Sequence, residues 1–220
     1  SQRQPGVRRL RVRNDQTGPH TLNAINPSTA DHIRPVQTQG RSGLVGEGQD
    51  LTVLLLPGWQ GSGPDHWQTR WAKVYGYSVV AQNDWMRPRR GDWLARLDEV
   101  VIDAPGPVVL VAHSLGCILV AAWAAFSRHT AKVRAALLVA PGDVEVPAMQ
   151  EILPGWLPIK KQPIPFRSLV VASDNDPYCS AERAQQLARD WSARWHSLGA
   201  AGHINADSSL GDWPQGHTLL

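Results

Sequence analysis

Cysteine is nearly absent from this sequence: Cys117 and Cys179 are the only two among 220 residues. Two cannot build a disulfide framework, and their spacing matches no metal motif. We read both as reduced thiols of a cytoplasmic protein that carries no metal and no cofactor. Long apolar runs are missing too. None approaches the roughly 18 residues that cross a bilayer, so no membrane partner is expected. The opening residues show no basic stretch leading into an apolar run and a small-residue cleavage site. One-sided charge is confined to one end. Of the net +3, seven arginines against four acids fall in residues 1–50, leaving 15 of the 22 basic and 15 of the 19 acidic residues to the other 170. The body of the chain therefore has no bias toward nucleic acid.

Residues 1–49 are rich in Arg, Gln, Thr, Asn, Gly and Pro, with no sustained period of 2 or 3.6. They read as a disordered or extended N-terminal segment. Its "RRLRVR" (8–13) could form a short strand or touch nucleic acid. From residue 50 onward the chain reads as one domain. Short continuous apolar runs recur: "LTVLLLP" (51–57), "PVVLVAH" (107–113), "AALLVAP" (135–141) and "RSLVVAS" (167–173), with "YSVVAQ" (77–82) as a weaker fifth. Such runs suit strands covered on both faces. Helix-like stretches alternate with them at 65–76, 91–104, 115–129 and 180–194. Alternation of this kind predicts an α/β fold, a mostly parallel sheet with helices on both faces. The five prolines of 142–166 break helix and central strand alike. That stretch is expected to be an irregular loop with one short helix near "PAMQEIL", overhanging a site.

In such sheets, sites form at the carboxyl ends of the strands. The run at 107–113 delivers "AHSLG" (112–116) and enters a helix. This is a G-x-S-x-G elbow with alanine in the first position, which exposes Ser114 on a tight turn at a helix N-terminus. A plain serine N-cap is the competing explanation. The run at 167–173 delivers "SDNDPY", and Asp176, held before Pro177, is the stronger of its two carboxylates for orienting a histidine. His203 follows in "SLGAAGHINADSS" (197–209), a loop beyond the last strand and the expected place for a general base. The order Ser114, Asp176, His203 is that of α/β-hydrolases. The first strand ends in "LPGWQGSGPDHW" (56–67), a turn suited to present a backbone N–H to an oxyanion. Gly58, Trp59 and Gln60 are the candidates there, with Trp59 or Gln60 favoured, and Leu115 supplies the other donor. No Walker lysine follows these glycines, which disfavours a phosphate loop. His113 adjoins the serine but should point away from it and support the turn, and His66 reads as structural. Trp59 and Trp156 are candidates for an acyl pocket or for plain packing.

Over about 51–217 the chain resembles the small serine hydrolases grouped with retinoblastoma-binding protein nine and the bacterial YdeN-type proteins. The resemblance is carried by "LPGWQGSGPDHW", "QNDW" (82–85), "RGDW" (90–93), "VAHSLGC", "SDNDPY" and "GHINADSSLGDWPQG" (202–216). It implies a small α/β-hydrolase fold without a large cap domain, and a triad falling on Ser114, Asp176 and His203. The L-x-C-x-E motif of retinoblastoma binding is absent, since Leu115–Leu119 reads "LGCIL". That partner is not carried over. The expected activity is esterase-like cleavage of a small-molecule acyl substrate. The alternatives are a hydrolase-fold binding protein with vestigial activity, and a nucleic-acid binder acting through the arginines of 8–13.

Overall fold

The structure is a computed structural model that describes residues 50–220, so the expectations for 1–49, including "RRLRVR", lie outside the described residues. Six strands and six helices follow one another: β1 (Thr52–Leu56), α1 (Trp67–Tyr75), β2 (Ser78–Val79), α2 (Arg90–Asp103), β3 (Val108–His113), α3 (Leu115–Phe126), β4 (Val133–Val139), α4 (Pro147–Ile152), β5 (Arg167–Ala172), α5 (Ala181–Asp190), β6 (Arg194–Ser197) and α6 (Pro214–His217). The strands form one sheet in the order β2-β1-β3-β4-β5-β6. Every pairing is parallel. Over the described residues this is the α/β-hydrolase arrangement without a large cap domain.

The apolar runs sort themselves by strand alternation. Leu54, Leu56, Leu110, Ala112, Leu138 and Val170 face one way and pack under α2, α3 and α5. Leu55, Val109, Val111, Leu137, Val139 and Val171 face the other way, toward Trp67 and Trp71 of α1 and Trp213. Helix α3 is apolar nearly all round, and nine of its residues are buried. A helix with no polar face belongs inside. Among the described residues, no helix is long and apolar enough to cross a membrane.

Two differences from the sequence reading concern the edges of the sheet. The helix expected over 180–194 ends at Asp190, and the chain turns through Ser192 at φ 55° into β6. Only Trp195 of β6 is half-buried, so this edge strand leaves no apolar run in the sequence. Strand β2 likewise shrinks to two exposed residues. The proline-rich stretch does contain one short helix, α4. The segment leading into it is held by Arg183 of α5, which donates to Glu145 at 2.6 Å and approaches Asp143 at 3.4 Å.

Candidate active site

Strand β3 passes into α3 through one residue, Ser114, held at φ 54° and ψ −118°. An L-residue rarely adopts this conformation, and such strain persists only where the surroundings enforce it. Here Gly116 is the enforcement: a Cβ on it would collide with the Leu56 carbonyl of β1. The tight approach of helix to sheet forces the turn, and the turn lifts the serine hydroxyl out of the core.

The structure brings Ser114, Asp176 and His203 together. The Ser114 Oγ stands 2.9 Å from His203 Nε2, and His203 Nδ1 lies 2.9 Å from both carboxylate oxygens of Asp176. A carboxylate can only accept here, so Nδ1 carries the proton and Nε2 is left to accept from the serine hydroxyl. Asp176 is nearly buried and also accepts from the Tyr178 N–H at 2.9 Å. Asp174, the other candidate, instead accepts from Ser197 at an exposed position. The Tyr178 ring lies 4.5 Å from that of His203 at the open side of the group.

A cavity of about 300 Å³ opens beside the serine, lined by Trp59, Leu115, Val144, Met149, Leu153 and Tyr178 among others. A Cβ on Gly142 would sit 3.2 Å from the Ser114 Oγ, so a side chain there would fill the space where a reacting carbon must stand. Sequence reasoning did not single out Gly142, although its position just after the β4 run was a signal. The 56–67 turn lies against the elbow, with a Cβ on Gly58 falling 3.0 Å from the Ser114 Cβ. Of the two turn residues favoured as N–H donors, Gln60 is corrected: its N–H donates to the Trp85 carbonyl at 2.9 Å and is not free for an oxyanion. The N–H groups of Trp59 and Leu115 have no such partner among the described residues, and both residues line the cavity. Of the two readings open for Trp156, packing is the one the structure shows. The residue is fully buried, donates to the Pro88 carbonyl at 2.9 Å and packs on Trp93 in the core.

Neither thiol is set up to act as a nucleophile. Both cysteines are unpaired and buried. Burial pushes the Cys117 thiol well up, and burial followed by the Asp143 and Asp176 carboxylates pushes Cys179 up to about 12. The reactive thiolate is therefore unavailable near neutral pH. Among the described residues, no cluster of His, Cys, Asp and Glu is arranged to hold a metal ion.

The family model described as Serine hydrolase matches residues 53–220. Among solved structures, a YdeN-like hydrolase from Pectobacterium atrosepticum is 27% identical, covering 76% of this chain and 86% of that one at a TM-score of 0.65. The ydeN gene product of B. subtilis is 21% identical, covering 78% and 93% at a TM-score of 0.58. A hydrolase of the α/β superfamily from Xanthomonas campestris is 23% identical, covering 78% and 96% at 0.52. The latter two speak for the fold alone. No curated protein matches at a significant level.

Proposed function

Because this chain belongs to the serine hydrolase family, we propose that it is an esterase-type enzyme working through Ser114, His203 and Asp176. The observation that carries this reading is the hydrogen-bonded line from Asp176 through His203 to a serine on a strained elbow, each step 2.9 Å. In this mechanism His203 Nε2 takes the Ser114 proton as Oγ attacks the carbonyl carbon. Asp176 keeps the imidazole in the Nδ1–H form and stabilises the imidazolium that results. The oxyanion is received by the N–H groups of Leu115 and Trp59. The loss of one such donor typically costs roughly 2.7–4 kcal/mol of transition-state stabilisation. His203 then returns the proton to the departing alcohol, and water, activated by the same imidazole, releases the acid and restores Ser114.

The acyl chain takes the apolar wall of Val144, Met149 and Leu153. A cavity of about 300 Å³ is at the small end for ligand sites, which favours a short acyl group on a small-molecule substrate. We place the enzyme in the cytoplasm on the strength of its two unpaired, buried thiols. Kinship with retinoblastoma-binding protein nine rests on the shared motifs, and YdeN-like hydrolases are among the solved structures that this chain resembles.

Replacing Ser114 by alanine tests the assignment. Ser114→Ala is expected to abolish p-nitrophenyl ester hydrolysis and fluorophosphonate labelling while leaving circular dichroism and thermal unfolding unchanged. Undiminished labelling of that variant sinks it. A wild-type protein that turns over no ester, thioester or amide in a broad panel would instead be the hydrolase-fold binding protein.

A further inference from the structure

His66 and His113 sit directly behind the His203 loop, and their hydrogen bonds run in one direction. The Gln68 backbone N–H donates to His66 Nδ1 at 3.1 Å. His66 Nε2 lies 3.3 Å from His113 Nδ1, and His113 Nε2 lies 2.9 Å from the His203 carbonyl oxygen. Both ends fix the protons. An amide N–H can only donate, so His66 Nδ1 accepts and its Nε2 carries the hydrogen. A carbonyl can only accept, so His113 Nε2 donates and its Nδ1 accepts from His66. The chain closes only if both imidazoles are neutral. Their surroundings agree: burial first, then the nearby His203, lowers His66 to about 4. Burial, followed by His66 and His203, pushes His113 well below the usual histidine range.

This chain is one half of a clamp. Trp67, the next residue on α1, donates from Nε1 to the Ile204 carbonyl at 2.8 Å. The start of α1 thus bears on two successive carbonyls, on that of Ile204 directly through Trp67 and on that of His203 through His113. On the other flank, Ser173 Oγ accepts from the Ala201 N–H at 2.9 Å and Asn175 Oδ1 from the Gly202 N–H at 2.7 Å. The same α1 terminus also ties down the oxyanion turn, where the His66 N–H donates to the Gly63 carbonyl at 3.1 Å and Ser62 Oγ to Gln68 Oε1 at 2.8 Å. One helix end therefore holds both the loop that carries His203 and the turn that carries Trp59.

We propose that His66 and His113 are positioning residues for the hydrolytic reaction, a one-way relay of neutral imidazoles that sets His203 against Ser114 and keeps it in register with the oxyanion turn. The proposal rests on the serine hydrolase reading above. A misplacement of about 1 Å in a catalytic group can cost 100-fold in rate. His113→Phe keeps a ring but removes the donor, whereas His113→Gln keeps an N–H near the Nε2 position.

The experiment measures kcat and KM for p-nitrophenyl acetate, with kcat divided by active sites titrated with a fluorophosphonate. His113→Phe is expected to lower kcat per titrated site about 10- to 100-fold with KM within about twofold, and His113→Gln to recover most of it. A merely structural role would lower the number of titratable sites and leave kcat per site unchanged, and that result overturns the proposal. Nitrogen-15 spectra of the wild-type imidazoles at pH 7 give a second readout that needs no variant to fold. Both His66 and His113 are expected as neutral Nε2–H tautomers, and an Nδ1–H tautomer or an imidazolium at either position also overturns it. Failure of the wild-type protein to hydrolyse or be labelled counts against the serine hydrolase reading, while the spectra still decide the relay.

Discussion

The two faces of the sheet are built from different materials. Under α2, α3 and α5 the contacts are almost purely apolar, with Leu97, Val101, Leu119 and Leu187 essentially inaccessible. Polar links there, such as Trp123 Nε1 with Asp98 and Trp156 Nε1 with the Pro88 carbonyl, both at 2.9 Å, tie the helices and loops of that layer to one another and not to the site. The α1 face instead carries Trp67, Gln68 and Trp71, whose side-chain N–H groups bond backbone carbonyls, and His66, which reaches one through His113. Gln68 Nε2 donates to Leu56 and Val111 at 3.2 and 3.1 Å, and Trp71 Nε1 donates to Asp212 at 2.7 Å. Leu56 ends the strand before the 56–67 turn, and Ile204, held by Trp67, follows His203. Apolar burial is non-directional and stabilises whatever packs well, whereas a hydrogen bond fixes an atom's position. One face chiefly holds the fold, and the other chiefly aims the site.

If that division is correct, the largest stability effect should come from the apolar face and leave the chemistry alone. Leu97→Ala on α2 removes a fully buried side chain that does not line the cavity beside Ser114 and is expected to destabilise by about 2–5 kcal/mol. Urea unfolding measures the loss. Ester turnover per titrated active site should stay at the wild-type value. A fall in that turnover larger than about threefold would show that this face aims the site as well.

The α1 face should respond to pH. His66 is neutral when folded, with a value of about 4, but titrates near 6.5 when unfolded. Between those values the unfolded chain binds more protons, so stability rises with pH and is complete above about 6.5. By linkage, His66 alone costs about 2 kcal/mol at pH 5 relative to pH 8. His66→Asn keeps an acceptor for the Gln68 N–H at the helix cap but drops both the titration and the bond to His113. At pH 8 it should be less stable than wild type by about 1 kcal/mol, the net worth of a hydrogen bond. At pH 5 the two curves should meet or cross. Parallel curves from pH 8 to pH 5 would mean that His66 is not buried in its neutral form.

What was legible in the sequence follows the same divide. Strands β1, β3, β4 and β5 announced themselves because burial on both faces leaves continuous apolar runs, and their carboxyl ends pointed to Ser114 and Asp176. Strand β6 did not, because an edge strand with one half-buried residue pairs through its backbone and leaves no side-chain pattern. Gln60 could not be eliminated from sequence, since its N–H is taken by a carbonyl 25 residues away, at Trp85. Trp156 read equally as pocket or core, and only the Pro88 carbonyl and the Trp93 ring decide it. His66 and His113 each read as structural. Their relay joins positions 47 residues apart and depends on tautomers that composition and spacing do not encode.

Met149 offers the finest probe, because it is where the apolar face reaches the site. It packs against the core under α3 and also lines the cavity beside Ser114. Directional bonds do not define this wall; its shape follows from side-chain volume alone. Met149→Ala removes three heavy atoms and lengthens the space open to an acyl chain. Each methylene newly taken out of water is worth about 0.8 kcal/mol, roughly a fourfold gain in kcat/KM. The ratio of kcat/KM for p-nitrophenyl hexanoate over the acetate should therefore rise by about 4- to 20-fold. The acetate should lose modestly, having forfeited contact with the wall. The relay and the triad are untouched by this change, so the acid limb of the pH–rate profile should keep its midpoint. An unchanged chain-length preference would place the acyl group elsewhere in the cavity and leave Met149 as packing for α4. A shifted midpoint would show that the apolar face also aims His203, which is the one outcome that dissolves the division between the two faces.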